Sequence, residues 1–441
     1  MRKEKLLPVM FFFSLVSGDA ANWSNFWQPA ALMEWFMWRL PIKVNLFEIL
    51  CIGMLVTTRR KPSTVAKPMI QALHASLATT AFCVLYGYAR GGLLKPMYTQ
   101  AHFLVFGPLF ALTCASVLAT PEDFRRMGRA IVYAALWQAL VVMGVYLKFR
   151  GGELPGYMTT HEDSVTFTIG FLILISEAVE LRTRKAIRSA VLAAPLIVMA
   201  IVFNNRRLAW ASLLAGIFLV YAMLPSRSRV NRKINRALTI LGPVLAIYVA
   251  LGWGRTEPIF KPVGAISSMI SAKASGQLDR STQARDNENL GMVTMMPSAP
   301  LLGTGLGHKW LDIDSTYAVP EDVFPMYHYS PHNSVLAFLA FCGGIGLAGV
   351  WMMLPVSVFL NARTYRRSED PIERSVAVVG IAMVIAYLNQ CYGDMGIAWM
   401  TPICVAAVGM AAAARLSVRS GAFPASGAAR NKQPSPDPVR A

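Results

Sequence analysis

Long apolar runs alternate along this chain with short polar segments. Most runs are about 17 to 25 residues long, which as a helix is enough to cross ~30 Å of hydrocarbon. The pattern predicts an all-α, polytopic membrane protein with about 12 transmembrane helices. We place the spans at residues 6–22, 44–58, 68–89, 100–119, 128–147, 162–180, 187–203, 208–224, 236–253, 333–360, 374–391 and 395–414.

The basic residues between the spans predict an orientation. With the N-terminus inside, 28 of the 42 lysines and arginines fall on the inside segments and 14 on the outside segments. Loops rich in these residues stay in the cytoplasm of a bacterial cell. We therefore predict that both chain ends are cytoplasmic and that residues 254–331 form one large periplasmic loop between spans nine and ten. Its aromatic residues, such as Trp310 and Tyr327, would let it fold against the membrane face.

Composition favours a membrane protein over a nucleic-acid-binding one. The chain is 55% hydrophobic and 15% charged, whereas soluble domains are about 25% charged. Its net charge of +18 is distributed between the apolar runs, and not clustered on one face as nucleic acid would require. We predict one transmembrane domain over residues 1–420, in contact with membrane lipids. Residues 421–441 are rich in Pro, Ser, Ala and Arg and predict a disordered cytoplasmic tail.

Four arginines are candidates for binding an anion on the outer side. Arg206 and Arg207 occupy the turn between spans seven and eight, against the positive-inside trend. Charge at this depth is costly unless it is paired, and it is commonly functional; the alternative is that both side chains reach lipid phosphates. Arg280 and Arg285 lie in the long loop. Arginine forks match phosphate oxygens and do not lose their charge.

His332, at the start of the tenth span, is the candidate catalytic residue. A lone histidine at a helix start more often caps or packs, but histidine is also the usual general base near neutral pH. A base beside the four arginines would suit transfer from a diphosphate-linked donor. Another outer connection carries His161, Glu162 and Asp163, to which no pattern assigns a role.

The long loop also contains acidic residues that could bind a divalent metal through oxygen ligands. They are Glu257, Asp279, Asp286, Glu288, Asp312, Asp314, Glu321 and Asp322. No spacing among them is diagnostic, and solvated loop charge is the commoner role. A metal site is therefore not predicted.

Three alternating glycines in the same loop predict a turn. Gly303, Gly305 and Gly307 have the spacing of a nucleotide-binding loop, but they do not join a strand to a helix. We interpret them as a close-packed turn.

Over residues 203–349 the chain resembles the O-antigen ligase and O-antigen polymerase superfamily, membrane glycosyltransferases of the GT-C type. Members carry a Ser-Arg-Gly-like turn between two spans, then an arginine before a Pro-x-x-Gly-x-Gly-x-Gly turn, then a His-Asn pair that opens a helix containing Gly-x-x-Gly. Here the matching elements are Arg207-Leu208-Ala209-Trp210, Arg285 eighteen residues before Gly303, and His332-Asn333 ahead of Gly343-Gly344-Ile345-Gly346.

Two positions depart from the family pattern. Arg206 and Leu208 replace the usual Ser and Gly, and Asn289 stands where an aromatic residue commonly follows the loop arginine. The first departure leaves open whether Arg206 or Arg207 is the equivalent arginine.

The resemblance implies a function and roles for these residues. It implies transfer of a glycan from undecaprenyl diphosphate to a sugar hydroxyl at the periplasmic face of the inner membrane, with inversion at the anomeric carbon. His332 would accept the acceptor's proton, and Arg207 and Arg285, with Arg206 and Arg280, would hold the departing diphosphate. Arginine can take the place of a metal, so no cofactor is implied.

Three functions remain open at this point. A ligase would use the lipid A core as acceptor, and an O-antigen or exopolysaccharide polymerase would use another lipid-linked repeat unit. We favour the ligase. A flippase or other transporter of lipid-linked oligosaccharide is the third reading, because arginine-lined cavities also suit anionic lipids.

Overall fold

The computed structural model describes most of the chain, and what it describes is helical. The described residues are 2–17, 45–58, 64–152, 158–204, 206–225, 229–255, 257–260, 262–264, 267, 280–314 and 326–424. Residues 425–441 of the predicted tail lie outside this set, so its disorder stays a prediction.

Fourteen α-helices form within the described residues, joined by turns and short 3-10 segments. They are α1 (Lys3–Val16), α2 (Leu46–Thr57), α3 (Lys67–Ala89), α4 (Leu94–Val117), α5 (Pro121–Phe149), α6 (Asp163–Leu181), α7 (Arg184–Asn204), α8 (Arg207–Met223), α9 (Arg229–Gly252), α10 (Arg280–Met295), α11 (Ser334–Trp351), α12 (Met353–Arg367), α13 (Pro371–Gly393) and α14 (Met400–Arg419).

Nine helical stretches among the described residues are long and apolar enough to cross a membrane. They are α3 to α7, α9, the continuous stretch of α11 and α12, α13, and α14. The prediction of an all-helical, polytopic membrane protein is confirmed for the described residues. α2 and α8 are apolar but shorter, so a total of twelve crossings remains a prediction.

Small residues let the central helices approach closely. In the most apolar window of α14, 89% of the residues are buried inside the protein. A Cβ atom added to Gly409 of α14 would lie only 2.7 Å from the carbonyl oxygen of Gly380 in α13. Close backbone contact through small residues is the usual way in which helices pack in membranes, where lipid is as apolar as the side chains.

Ionisable side chains collect at the two ends of the bundle. At one end, Arg125 donates to both carboxylate oxygens of Glu177, over 2.7 and 3.1 Å. Nearby, Glu180 accepts hydrogen bonds from Arg374 at 2.8 Å and from the Tyr365 hydroxyl at 2.6 Å. We call this the ion-pair end. The opposite end, where α6, α8, α11 and α14 begin and α7 and α13 end, is called the histidine end, because His161 and His332 lie there.

The described part of the long connection folds onto the histidine end. It contains α10 and the glycine turn, and the side chains of Trp310 and Tyr327 are almost completely buried. Their rings meet edge to face with centroids 5.4 Å apart. These two aromatic residues therefore pack inside the protein, while the expected placement of the loop against the periplasmic membrane face stays a prediction.

The helical stretch at the predicted tenth span, 333–360, is broken. Gly343 inside α11 has a φ of 63°, whereas Met352, between α11 and α12, keeps helical dihedral angles. A φ in this left-handed region favours glycine, because a Cβ atom clashes with the backbone there.

Candidate active site

His332 is held against a buried carboxylate. Its Nδ1 atom lies 3.0 Å from both Oε1 and Oε2 of Glu288, and its backbone N–H donates to Oε2 at 2.9 Å. The Glu288 side chain is 1% exposed, whereas that of His332 is 27% exposed. A carboxylate at Nδ1 holds the ring proton there and leaves the Nε2 lone pair to accept a proton.

Helix capping at the start of α11 is performed by the neighbouring residue. The Asn333 side chain accepts a hydrogen bond from the backbone N–H of Leu336 at 3.2 Å, as an N-cap residue does. The His332 imidazole is therefore not needed as the cap. Its contact with Glu288 is a separate interaction.

α10 delivers Glu288, and a network of polar contacts fixes this helix. Asn287 donates to Asp312 Oδ1 at 2.8 Å, and its Oδ1 accepts from the Asp314 backbone N–H at 2.9 Å. Tyr327 lies beside Glu288; burial first, and then the charge of that carboxylate, raise the pKa of its phenol. The helix that carries Glu288 is thus held by the surrounding fold.

The glycine turn is a packing element, as predicted. Gly303, Gly305 and Gly307 all have positive φ. A Cβ atom on Gly303 would lie 2.3 Å from the carbonyl carbon of Phe341, and one on Gly343 would lie 2.3 Å from that of Leu301. The turn and the break in α11 therefore interlock by direct backbone contact.

The same contact satisfies the peptide groups that the break exposes. Thr304 and Gly305 donate from their backbone nitrogens to the carbonyls of Ala340 and Phe341, both at 2.9 Å. In the other direction, Gly344 donates to the Pro300 carbonyl at 2.9 Å. The turn thus takes over hydrogen bonds that an unbroken helix would make within itself.

A second histidine is paired with a carboxylate at the histidine end. His161 Nδ1 lies 2.5 Å from Asp394 Oδ2, and its Nε2 lies 2.9 Å from Arg206 Nη1. The Ser334 hydroxyl, two residues after His332, donates to the Asp394 carbonyl at 3.3 Å. The segment that carries Asp394 therefore lies between the two histidines.

The four predicted arginines differ in their surroundings. Arg206 belongs to the His161 cluster, while Arg207, the first residue of α8, is exposed. Arg285 precedes Glu288 by three residues on α10, which places both on one helix face; its Nε atom is buried without a hydrogen-bond partner among the described residues. Arg280 begins α10, but its side chain lies outside the described residues.

Sequence reasoning missed Glu288, His161 and Asp394 as members of this cluster. Glu288 is one of eight loop acids without a diagnostic spacing. The commonest role predicted for such acids is a solvated charge. This is wrong for Glu288, because its side chain is 1% exposed. The three-residue spacing between Arg285 and Glu288 was an available signal, but it becomes informative only once the polar segment 280–295 is known to be helical.

The fold and the site together define a multi-pass membrane protein with a histidine–carboxylate pair and arginines at one end of its bundle. Residues 157–351 match the family model described as O-antigen ligase, so this part of the chain is an O-antigen ligase family domain. Members of this family carry out O-antigen ligase or polymerase type glycan transfer in membranes, with lipid-linked glycan substrates. The match includes His161, Arg207, Arg285 and His332 and ends before Asp394. No curated protein matches the chain.

Proposed function

We propose that the protein is a ligase that transfers a glycan from undecaprenyl diphosphate to a sugar hydroxyl of the lipid A core, at the periplasmic face of the bacterial inner membrane. The observation that carries the proposal is the Glu288–His332 pair. A buried carboxylate holds the imidazole through Nδ1 at 3.0 Å, and the partly exposed ring can present Nε2 to a substrate.

In the proposed reaction, His332 Nε2 accepts the proton of the acceptor hydroxyl as its oxygen attacks the anomeric carbon of the donor. The bond between that carbon and the diphosphate oxygen breaks, and the diphosphate leaves with the bonding electrons. Glu288 stabilises the imidazolium that forms. Attack from the side opposite the leaving group inverts the anomeric configuration.

The arginines at the histidine end are proposed to stabilise the leaving diphosphate. Its negative charge grows in the transition state, so preorganised cations lower the barrier and no metal ion is required. Arg285 shares a helix face with Glu288, and Arg206 and Arg207 precede or begin α8. Arg280 is included because it begins the same helix as Arg285.

The position of the charged groups supports transfer over transport. Arg206, His161, Asp394 and His332 all lie at helix ends or in the turns beside them. A transporter generally places such groups near the middle of the membrane, where its substrate must pass.

The decisive experiment compares chemistry with donor binding in the purified protein. His332→Ala should lower transfer from undecaprenyl-diphosphate-linked glycan by ~10²- to 10⁴-fold, while donor binding and thermal stability persist. His332→Asn should be equally inactive, because Asn333 already caps α11. His74→Ala is the matched control, since His74 is exposed on α3, and it should retain full activity.

The outcomes separate the candidate functions. An active His332→Asn variant would contradict the role of His332 as the general base. Wild-type protein that moves the donor across liposomes without transfer contradicts the enzyme altogether. Product formed on a second lipid-linked glycan, and not on the lipid A core, identifies a polymerase.

A second experiment addresses the arginines. Arg285→Lys keeps the charge but loses the two-pronged contact with phosphate oxygens, so transfer should fall substantially. Arg285→Lys and Arg207→Lys variants that both keep wild-type rates would contradict the assignment of the diphosphate site.

A further inference from the structure

The contact between Arg206 and His161 determines which ring nitrogen of the imidazole is the acceptor. Arginine has only donors and does not give up its proton. Since Arg206 Nη1 lies 2.9 Å from His161 Nε2, this nitrogen must be the acceptor. The His161 ring therefore carries its proton on Nδ1, which faces Asp394 Oδ2 at 2.5 Å.

Asp394 is surrounded by donors that keep it ionised. Besides His161, its carboxylate accepts hydrogen bonds from Gln390 Nε2 at 3.2 Å and from the Met395 backbone N–H at 2.8 Å. Burial opposes ionisation, but the hydrogen bonds that His161 and the Met395 N–H donate favour the charged form, and the pKa of Asp394 lies below its ordinary value. A carboxylate in this state is a fixed acceptor for the His161 proton.

The segment that carries His161 is held in place by Asn204. This side chain, 1% exposed, accepts from the backbone N–H groups of Met158 and Thr159, both at 2.9 Å. Arg206 also reaches this segment, because its Nη2 donates to the Thr159 carbonyl at 3.4 Å. The guanidinium of Arg206 is thus oriented by one ring nitrogen and one carbonyl, each fixed by a further residue.

We propose that Asp394 and His161 are positioning residues that hold Arg206 ready to bind the diphosphate of the lipid-linked donor. The inference rests on the proposed function and adds a division of roles within the turn. Arg206 is the arginine that is preorganised for the diphosphate. Arg207 is exposed at the start of α8, and its side chain adjusts its conformation when the donor binds. Preorganisation strengthens binding because the side chain loses less freedom when the ligand arrives.

A double-mutant cycle on donor-headgroup binding tests this proposal. The probe is undecaprenyl diphosphate titrated into the purified full-length protein. His161→Phe keeps the ring but removes the acceptor, and affinity should fall roughly tenfold. His161→Gln retains an amide oxygen for Arg206 and should recover most of the loss. In an Arg206→Ala background, His161→Phe should have little further effect, because the group it positions is gone.

Steady-state kinetics give a second readout. In the His161→Phe variant the KM for the donor should rise, while kcat at saturating donor stays within about threefold of wild type, a change equivalent to less than ~1 kcal/mol. For His332→Ala the reverse is expected: kcat should fall, while the KM for the donor stays nearly unchanged. His74→Phe serves as the control, since the exposed His74 lies on α3 away from this cluster.

Several results would overturn the inference. Additive losses in the cycle would mean that His161 acts independently of Arg206. If the wild-type protein transfers glycan but His161→Phe binds the donor as well as wild type, the positioning role is rejected and the proposed function stands. If the wild-type protein transfers no glycan, the proposed function itself is rejected. If His161→Phe fails to fold, the same cycle is run with Asp394→Asn. Additive losses for Asp394→Asn and Arg206→Ala would then mean that Asp394 acts independently of Arg206.

Discussion

Replacing Glu288 by glutamine should inactivate the enzyme through a change of imidazole tautomer. The backbone N–H of His332 donates to Oε2 at 2.9 Å, so the single oxygen of the new amide is held at that position. The amide NH₂ then occupies the position of Oε1, 3.0 Å from Nδ1. The oxygen at the Oε2 position is also 3.0 Å from Nδ1, but it already accepts the backbone N–H. The NH₂ group favours an acceptor at Nδ1, which moves the ring proton to Nε2, where the base is needed, and the neutral amide no longer stabilises the imidazolium.

The expected size follows from the role that is lost. General-base catalysis contributes ~10²- to 10⁴-fold in rate, and the wrong tautomer removes it while the shape of the site is kept. kcat should therefore fall within this range, with the donor KM nearly unchanged. The lost charge-assisted hydrogen bonds are each worth about 1.5 to 3 kcal/mol of stability, so unfolding must be measured as well.

The assay is transfer of a labelled glycan from undecaprenyl diphosphate to a lipid A core acceptor by purified protein, with thermal unfolding followed in parallel. Glu257→Gln is the matched control, because Glu257 is an exposed acid of the same connection and should tolerate the change. A folded Glu288→Gln enzyme with a kcat within about threefold of wild type would refute the tautomer argument.

Three further predictions concern packing, orientation and metal. Gly343→Ala should destabilise the protein by at least ~1 to 3 kcal/mol, because φ is 63° and the new Cβ would lie 2.3 Å from Leu301. Gly344→Ala should have a mild effect, because its Cβ would meet nothing closer than 3.7 Å. Equal melting temperatures for the two variants would contradict the contact between the glycine turn and α11. An impermeant thiol reagent should label Ser298→Cys from the periplasm but not Glu369→Cys, against a low background because all six native cysteines are buried; the reverse pattern would invert the orientation. EDTA should leave transfer unchanged, and strong inhibition would instead indicate a metal at the loop carboxylates.

The sequence predicted the parts of the fold that depend on local patterns. Apolar runs predicted the helices at the spans, and the glycine spacing predicted the close-packed turn. His332 is a candidate because it stands at the start of a span beside Asn333. Each of these signals lies within a few residues of chain and reflects one physical requirement, such as helix length in lipid or backbone freedom at glycine.

The contacts that complete the candidate site depend on the fold. Glu288 lies in a polar segment whose helix has no apolar periodicity to reveal it, and Asp394 is a single acid in a short turn. His161 is brought to Asp394 only when α6 packs beside α13. Pairing between distant helices cannot be read from one sequence, because no local pattern records which helix ends become neighbours.

The break in α11 ties the assembly of this helix to that of the loop before it. Gly343 lies nine residues after Ser334, roughly 13 Å along the helix. Unpaired peptide groups at such a depth cannot find water, so irregular backbone is tolerated only where protein covers it. The covering groups belong to the glycine turn, which precedes α11 in the chain. We therefore expect the helix to reach its final form only after the turn has folded onto it, so that completion of this span during biogenesis depends on the preceding loop.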